Sequence, residues 1–186
     1  MSEDLGAQAT SGEDTQLNPT VEAQLRAIDG ADLGHRLDSL EAAEPPDAKA
    51  GIYIAPLPEI EAVDVEGQMY RFYGARVLPG SHVNPHLHKH GNEPYYFIAG
   101  TGGEMNSGRV VDGSVVWDPP KIVDVGSIET VGADQVHCFR NAGQEAFDFA
   151  FACPGEHLVD NSEEQPTGDR YFTADLPSGV PPWFTP

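Results

Sequence analysis

Residues 80–100 read GSHVNPHLHKHGNEPYYFIAG. His86 and His88 stand two apart, and Glu93 follows five residues after the second histidine. In a β-strand, residues i and i+2 share a face. His86 and His88 therefore project together, and Leu87 faces the other side. A short turn with Gly91 and Asn92 swings the chain back and offers the Glu93 carboxylate from an adjacent strand. Two imidazoles and one carboxylate placed this way make a pocket for a divalent transition metal, as in 2-His-1-carboxylate iron sites. Such a trio, with open positions on the metal, points to chemistry on a small molecule.

A fourth donor lies downstream, in the segment from Gly126 to Asn141. Its end, QVHCFRN, has strand character, and His137 alternates with Val136 and Cys138. His137 can thus face the same interior as the first pair. The first segment resembles motif 1 of the cupin superfamily at Gly80, His86, His88, Glu93 and Gly100. The second resembles cupin motif 2 at Gly126, His137 and Asn141. It departs from that motif where Gly132 and Asp134 replace the usual proline and glycine. Asp tolerates left-handed backbone better than most residues, so the departure bears on the turn and not on the donors. An HxH pair alone is a weak signal; both motifs in order are specific, and together they cover about a third of the chain.

The resemblance implies an all-β fold, a double-stranded β-helix or jelly-roll barrel. It also implies one divalent metal held by His86, His88, Glu93 and His137. Three imidazoles and one carboxylate suit Fe, Mn, Ni, Co or Zn, and ligand type alone does not choose among them.

The strand pattern agrees with such a barrel. From Gly51 onward GIYIAPL, QMYRFYGARVL, PYYFIAG, GRVV, KIVDV, QVHCFRN and FDFAFAC are short strand candidates between Gly, Pro, Asn and Asp. Many short strands at even spacing form a sandwich or barrel. Upstream, Asn18 and Pro19 cap and open a helix carrying Val21, Leu25 and Ile28, with Gly30 as its stop. Leu33, Leu37 and Leu40 mark a second short amphipathic stretch, and residues 43–51 are a breaker-rich linker. The expected organisation is a disordered acidic tail over 1–18, a helical segment and linker over 19–50, and the barrel with its C-terminal tail over 51–186. Trp183 and Phe184 are expected to dock that tail onto the barrel or onto a second subunit, and a homodimer is the expected assembly.

Charge narrows the partners. The 186 residues carry 30 acidic and 10 basic side chains, a net charge of -20, with lysine only at 49, 89 and 121. Phosphate binding needs basic surface, so nucleic acid is excluded as a partner, and an anionic membrane for the same reason. Acids spread along the chain point to salt adaptation, because screening relieves their self-repulsion; the alternative is an ordinary acidic cytosolic protein with a charged tail. No apolar run is long enough to span a bilayer and the N-terminus lacks a signal-peptide pattern, so a cytoplasmic protein is expected. Cys138 and Cys153 form no disulfide framework and read as buried thiols.

Other side chains complete the site. Tyr95 shares the phase of Glu93, and Phe97 follows it, so both line the cavity; Tyr96 and Ile98 face away. A tyrosine beside a metal can serve as general acid or base, which makes Tyr95 the catalytic candidate. Phe139, Phe147, Phe149 and Phe151 supply apolar wall. Arg71, Arg76 and Arg140 are the cations available to an anionic substrate. His90 continues the alternation toward the pocket rim or lies exposed in a turn. His82 reads as structural, and His35 and His157 receive no role. The leading function is a metal-dependent, dioxygenase-type oxidoreductase acting on a small organic molecule. A non-redox isomerase, lyase or decarboxylase uses the same ligands, and a ligand-binding module with a structural metal is the third reading. Iron or manganese is the favoured metal.

Overall fold

The computed structural model describes residues 17–44 and 50–184, which hold two α-helices, twelve strands and a 3-10 helix at Gly155–Leu158. The acidic segment expected to be disordered falls almost wholly on residues 1–16, outside the described residues, as does most of the linker.

The Asn18 side chain accepts from the backbone N–H groups of Thr20 and Val21 and caps α1 (Pro19–Arg26), as its sequence signals require. Gly30 is not the stop of this helix. It is the first residue of α2 (Gly30–Ala43), and Asp29 supplies the cap by accepting from Ala31 and Asp32. The glycine is needed for space: a Cβ there would sit 2.8 Å from Ile98.

The strands are β1 (Ile52–Pro56), β2 (Val63–Val65), β3 (Gln68–Val77), β4 (His86–Leu87), β5 (Glu93–Ala99), β6 (Gly103–Val111), β7 (Ser114–Trp117), β8 (Lys121–Ile122), β9 (Ile128–Val131), β10 (Gln135–Asn141), β11 (Phe147–Pro154) and β12 (Tyr171–Phe172). They form two antiparallel sheets in the order β1-β3-β11-β5-β9, with β2 on β3, and β12-β4-β10-β6-β7, with β8 on β6. This is the cupin-type jelly roll that the motifs imply. The short strands β2, β7, β9 and β12 were not legible in the sequence; they are edge pieces too brief to show a period of two.

Strand alternation separates an inside from two outsides. Inward-facing Ala75, Val77, Tyr95, Phe97, Met105, Phe139, Phe147, Phe149, Phe151 and Cys153 make one buried cluster. The outer face of the first sheet packs Tyr70, Phe72, Ala150 and Ala152 against Val21 and Leu25 of α1 and Leu33 and Leu37 of α2. Gly74 admits Leu33, which would overlap any Cβ there. On the same face Arg76 is buried and binds Asp148 through two hydrogen bonds of 2.8 Å, with further bonds to Asp38 and Glu41 of α2. The outer face of the second sheet packs Leu87, Val115 and Val136 against Trp117, Tyr171 and Leu176. Cys138 is buried, and burial pushes its thiol up to about 12. The tail docks on the barrel: the Trp183 indole N–H donates to Asn106 at 3.0 Å, Arg140 lies over the Trp183 ring, and His82 packs edge-on against Trp183 and Phe184.

Candidate metal centre

His86, His88, Glu93 and His137 are all buried, and each offers a donor atom within 4.8 Å of the others. The set is assembled across the two sheets. His86 and His137 face each other on β4 and β10, where they are register partners with ring centroids 4.3 Å apart. Glu93 comes from β5 of the opposite sheet, so the carboxylate closes the site from across the barrel and not from a neighbouring strand of the same sheet. His88 lies one residue past the end of β4 and still turns its ring toward His86, 5.0 Å away. Leu87 points to the outer cluster, as alternation requires. Gly91 makes the return turn with φ +69, and Asn92 N–H donates to the Tyr70 hydroxyl at 2.7 Å. Asp134 adopts φ +60 in the loop before His137, so aspartate does take the left-handed position that the second motif leaves without glycine.

The hydrogen bonds of the three rings fix their tautomers. His86 Nδ1 bonds Asn84 O at 2.7 Å, His88 Nδ1 bonds Asp169 O at 2.9 Å, and His137 Nδ1 bonds Gln135 O at 3.1 Å. A carbonyl only accepts, so each Nδ1 carries a proton, which leaves Nε2 as the nitrogen that a ring in its neutral form offers to a metal. His88 Nε2 and His137 Nε2 approach Glu93 Oε2 to 3.2 and 3.3 Å. Yet these three buried atoms make no hydrogen bond among the described residues. Three adjoining buried polar atoms without partners call for an explanation, and lone pairs aimed at one point fit a metal ion.

Electrostatics agree. Burial, and then the neighbouring His137, hold the His86 ring well below its ordinary value, so it is neutral and ligand-competent. Burial works to raise the Glu93 carboxyl, but its contacts with His137 and His88 outweigh it and keep Glu93 ionised. Tyr95 is buried with its ring centroid 6.2 Å from that of His137. Burial first, then the Glu93 charge, push its hydroxyl well above the phenol range, so it keeps its proton.

The remaining candidates separate. Phe139, Phe147, Phe149 and Phe151 form inner wall, and Tyr96 and Ile98 face the helices. Arg76 serves the helix network and Arg140 the tail, and Arg71 is exposed. Neither Arg76 nor Arg140 is held as an inward anion anchor: both stand at outward positions of their strands, bound to carboxylates. The His90 side chain is 72% exposed and leaves the rim. His157, given no role by the sequence, is 1% exposed and stacks on His88 with centroids 3.9 Å apart at 6°. Asp169 was likewise unmarked. Neither stands in a motif, and a lone His and Asp in a loop-rich tail carry no spacing that could have flagged them.

No family model and no curated protein matches the chain. Solved structures do. A cupin-2 domain protein of Rhodospirillum rubrum is similar at 19% identity over 56% of this chain and 60% of its own, with a TM-score of 0.42. A protein of Thermotoga maritima described as a predicted oxalate decarboxylase is similar at 22% identity over 54% of this chain and 77% of its own, TM-score 0.39. The polyketide cyclase RemF of Streptomyces resistomycificus is similar at 16% identity over 56% and 65%, TM-score 0.38. The two sheets in the order described above bring together a buried His/Glu group that can hold a metal.

Proposed function

We propose that this chain is a metal-dependent cupin enzyme acting on a small organic molecule, with oxidation by dioxygen as its reaction. The observation that carries the reading is the set of buried donors left without partners at His88, Glu93 and His137, completed by His86. His86, His88 and His137 hold the ion through Nε2, and Glu93 through its carboxylate. Bound iron or manganese supplies a redox centre and a Lewis acid with positions open to substrate. One carboxylate against a divalent ion leaves net positive charge in an aromatic interior, which favours an anionic or enolisable oxygen ligand. Small carboxylates, diketones and catechol-like compounds are therefore the substrate classes. Tyr95 keeps a proton beside Glu93 and is the residue placed to donate it. The protein acts on small molecules as a homodimer.

The test is to reconstitute metal-free protein with Fe(II), Mn(II), Ni(II) or Zn(II) and to screen these compounds with and without oxygen. Oxygen-dependent turnover with Fe(II) or Mn(II), lowered in Tyr95→Phe, is the expected result. Anaerobic turnover, or full support by Zn(II), moves the assignment to an isomerase, lyase or decarboxylase. Tight binding without turnover makes the protein a ligand-binding module. A monomer on sizing would overturn the dimer.

A further inference from the structure

His86 and His137 take their Nδ1 acceptors from two residues earlier in their own segments, at Asn84 and Gln135. His88 has no such local partner. It stands past the last residue of β4, and its acceptor is the carbonyl of Asp169, 81 residues downstream. The same residue fixes the backbone that follows. Asp169 Oδ1 accepts from Lys89 N–H at 2.9 Å, and Oδ2 accepts from His90 N–H at 3.1 Å. His157 covers the face of the His88 ring and donates from Nε2 to His90 O at 2.6 Å. Both residues come from one segment. It begins with the 3-10 helix Gly155–Leu158 and folds on itself through Asp169 N–H to Glu156 O and Arg170 N–H to Val159 O. It ends in β12, which lies along β4 with Phe172 opposite His86.

We propose that Asp169 and His157 are positioning residues for His88, so that the segment 155–173 completes the metal centre. The inference rests on the metal reading above. The physical reason is the missing strand. A ligand outside a sheet has two free side-chain torsions and a mobile backbone unless something else removes that freedom. Here one carbonyl sets the ring's tautomer and direction, one ring plane fixes its tilt, and two capped N–H groups hold its chain. Asp169 is 5% exposed and His157 1%, so water does not compete for these contacts. His157 Nδ1 has no hydrogen-bond partner among the described residues. A buried acceptor left unpaired costs stability, which a residue serving only to fill space would avoid.

The experiment is a titration of the metal-free full chain with Co(II), following its visible absorption, beside thermal melting of each metal-free variant. His157→Ala and Asp169→Ala are each expected to weaken Co(II) binding by about 10–100-fold, the scale of losing an outer-shell partner, and to change the absorption envelope. Both Asp169 variants keep the backbone carbonyl, but only Asp169→Asn keeps a side-chain oxygen for Lys89 N–H, and it is expected to restore most of the affinity and the wild-type spectrum. Should His157→Ala fail to fold, His157→Phe keeps a ring against His88 but cannot donate to His90 O, and it must still show weakened binding. Wild-type affinity and spectrum in the folded variants, or a lowered melting temperature alone, would overturn the clamp while leaving the metal centre standing. Failure of the unmodified chain to bind Co(II) overturns both.

Discussion

The barrel interior has two ends built on the same alternating strands, and they are opposites. At one end Phe97, Phe139, Phe147 and Phe149 fill the space, with ring centroids 5.0 to 6.2 Å apart. At the other, His86, His88, Glu93 and His137 bring buried polar atoms together and leave three of them without a hydrogen bond among the described residues. β5 runs from one end to the other: Glu93, Tyr95 and Phe97 face inward in turn. The phenylalanine end stabilises by apolar burial and close packing. The donor end opposes folding, because unpaired buried polar groups are costly, and a metal bound there would offset that cost. The first end supports the second, and the two should respond oppositely to mutation.

The sharpest way to break that contrast is Phe147→Ala. Phe147 is fully buried between Phe97 and Phe139, so the change should lower unfolding free energy by about 3–5 kcal/mol. Metal content per folded chain should stay the same. Denaturant unfolding with elemental analysis measures both, and loss of metal from the folded fraction would show that the ends are not separable.

Next in size is the metal itself. At a free metal concentration of one hundred times Kd, the native chain should gain about 2.7 kcal/mol. His88→Ala should remove that gain and drop occupancy from near one metal per chain, and the metal-free melting temperature should also fall, since the bond to Asp169 O and the stack on His157 go with the ring. A melting temperature that still rises with metal in His88→Ala would sink the ligand assignment.

Gly91→Ala should fall between the two ends. Its φ of +69 and the 2.5 Å approach of Gln68 Oε1 to an added Cβ set a cost of about 1–3 kcal/mol. Because the turn carries His88 to Glu93, metal affinity should fall as well. Calorimetry on metal-free and metal-loaded protein separates the two effects; loss of stability with wild-type affinity would mean that the turn serves the fold alone.

The smallest effect belongs to neither end. With a net charge of -20, raising salt from low to molar concentration should raise the melting temperature by roughly a few degrees through screening. The increase should be equal for Phe147→Ala and wild type. A flat or falling curve would leave an acidic protein without salt adaptation.

Spacing alone determined a good deal of this protein. HxH followed by Glu93 and a distant His137 named the donor set, and period-two alternation placed Tyr95, Phe97 and the phenylalanines of β11 inside. Asn18 and Pro19 announced α1 because a cap is a local hydrogen bond. These features depend on neighbours within a few residues, and a strand or helix repeats them visibly. Tertiary structure alone decided the rest. Gly30 looked like a stop until its closeness to Ile98 showed why no side chain fits. Arg76 looked available to a substrate until α2 brought Asp38 and Glu41 over it. Above all, His88 meets Asp169 and His157, and no period or motif links residue 88 to residues 157 and 169. A long-range contact follows from where the chain returns, and that is set by the packing of the whole barrel.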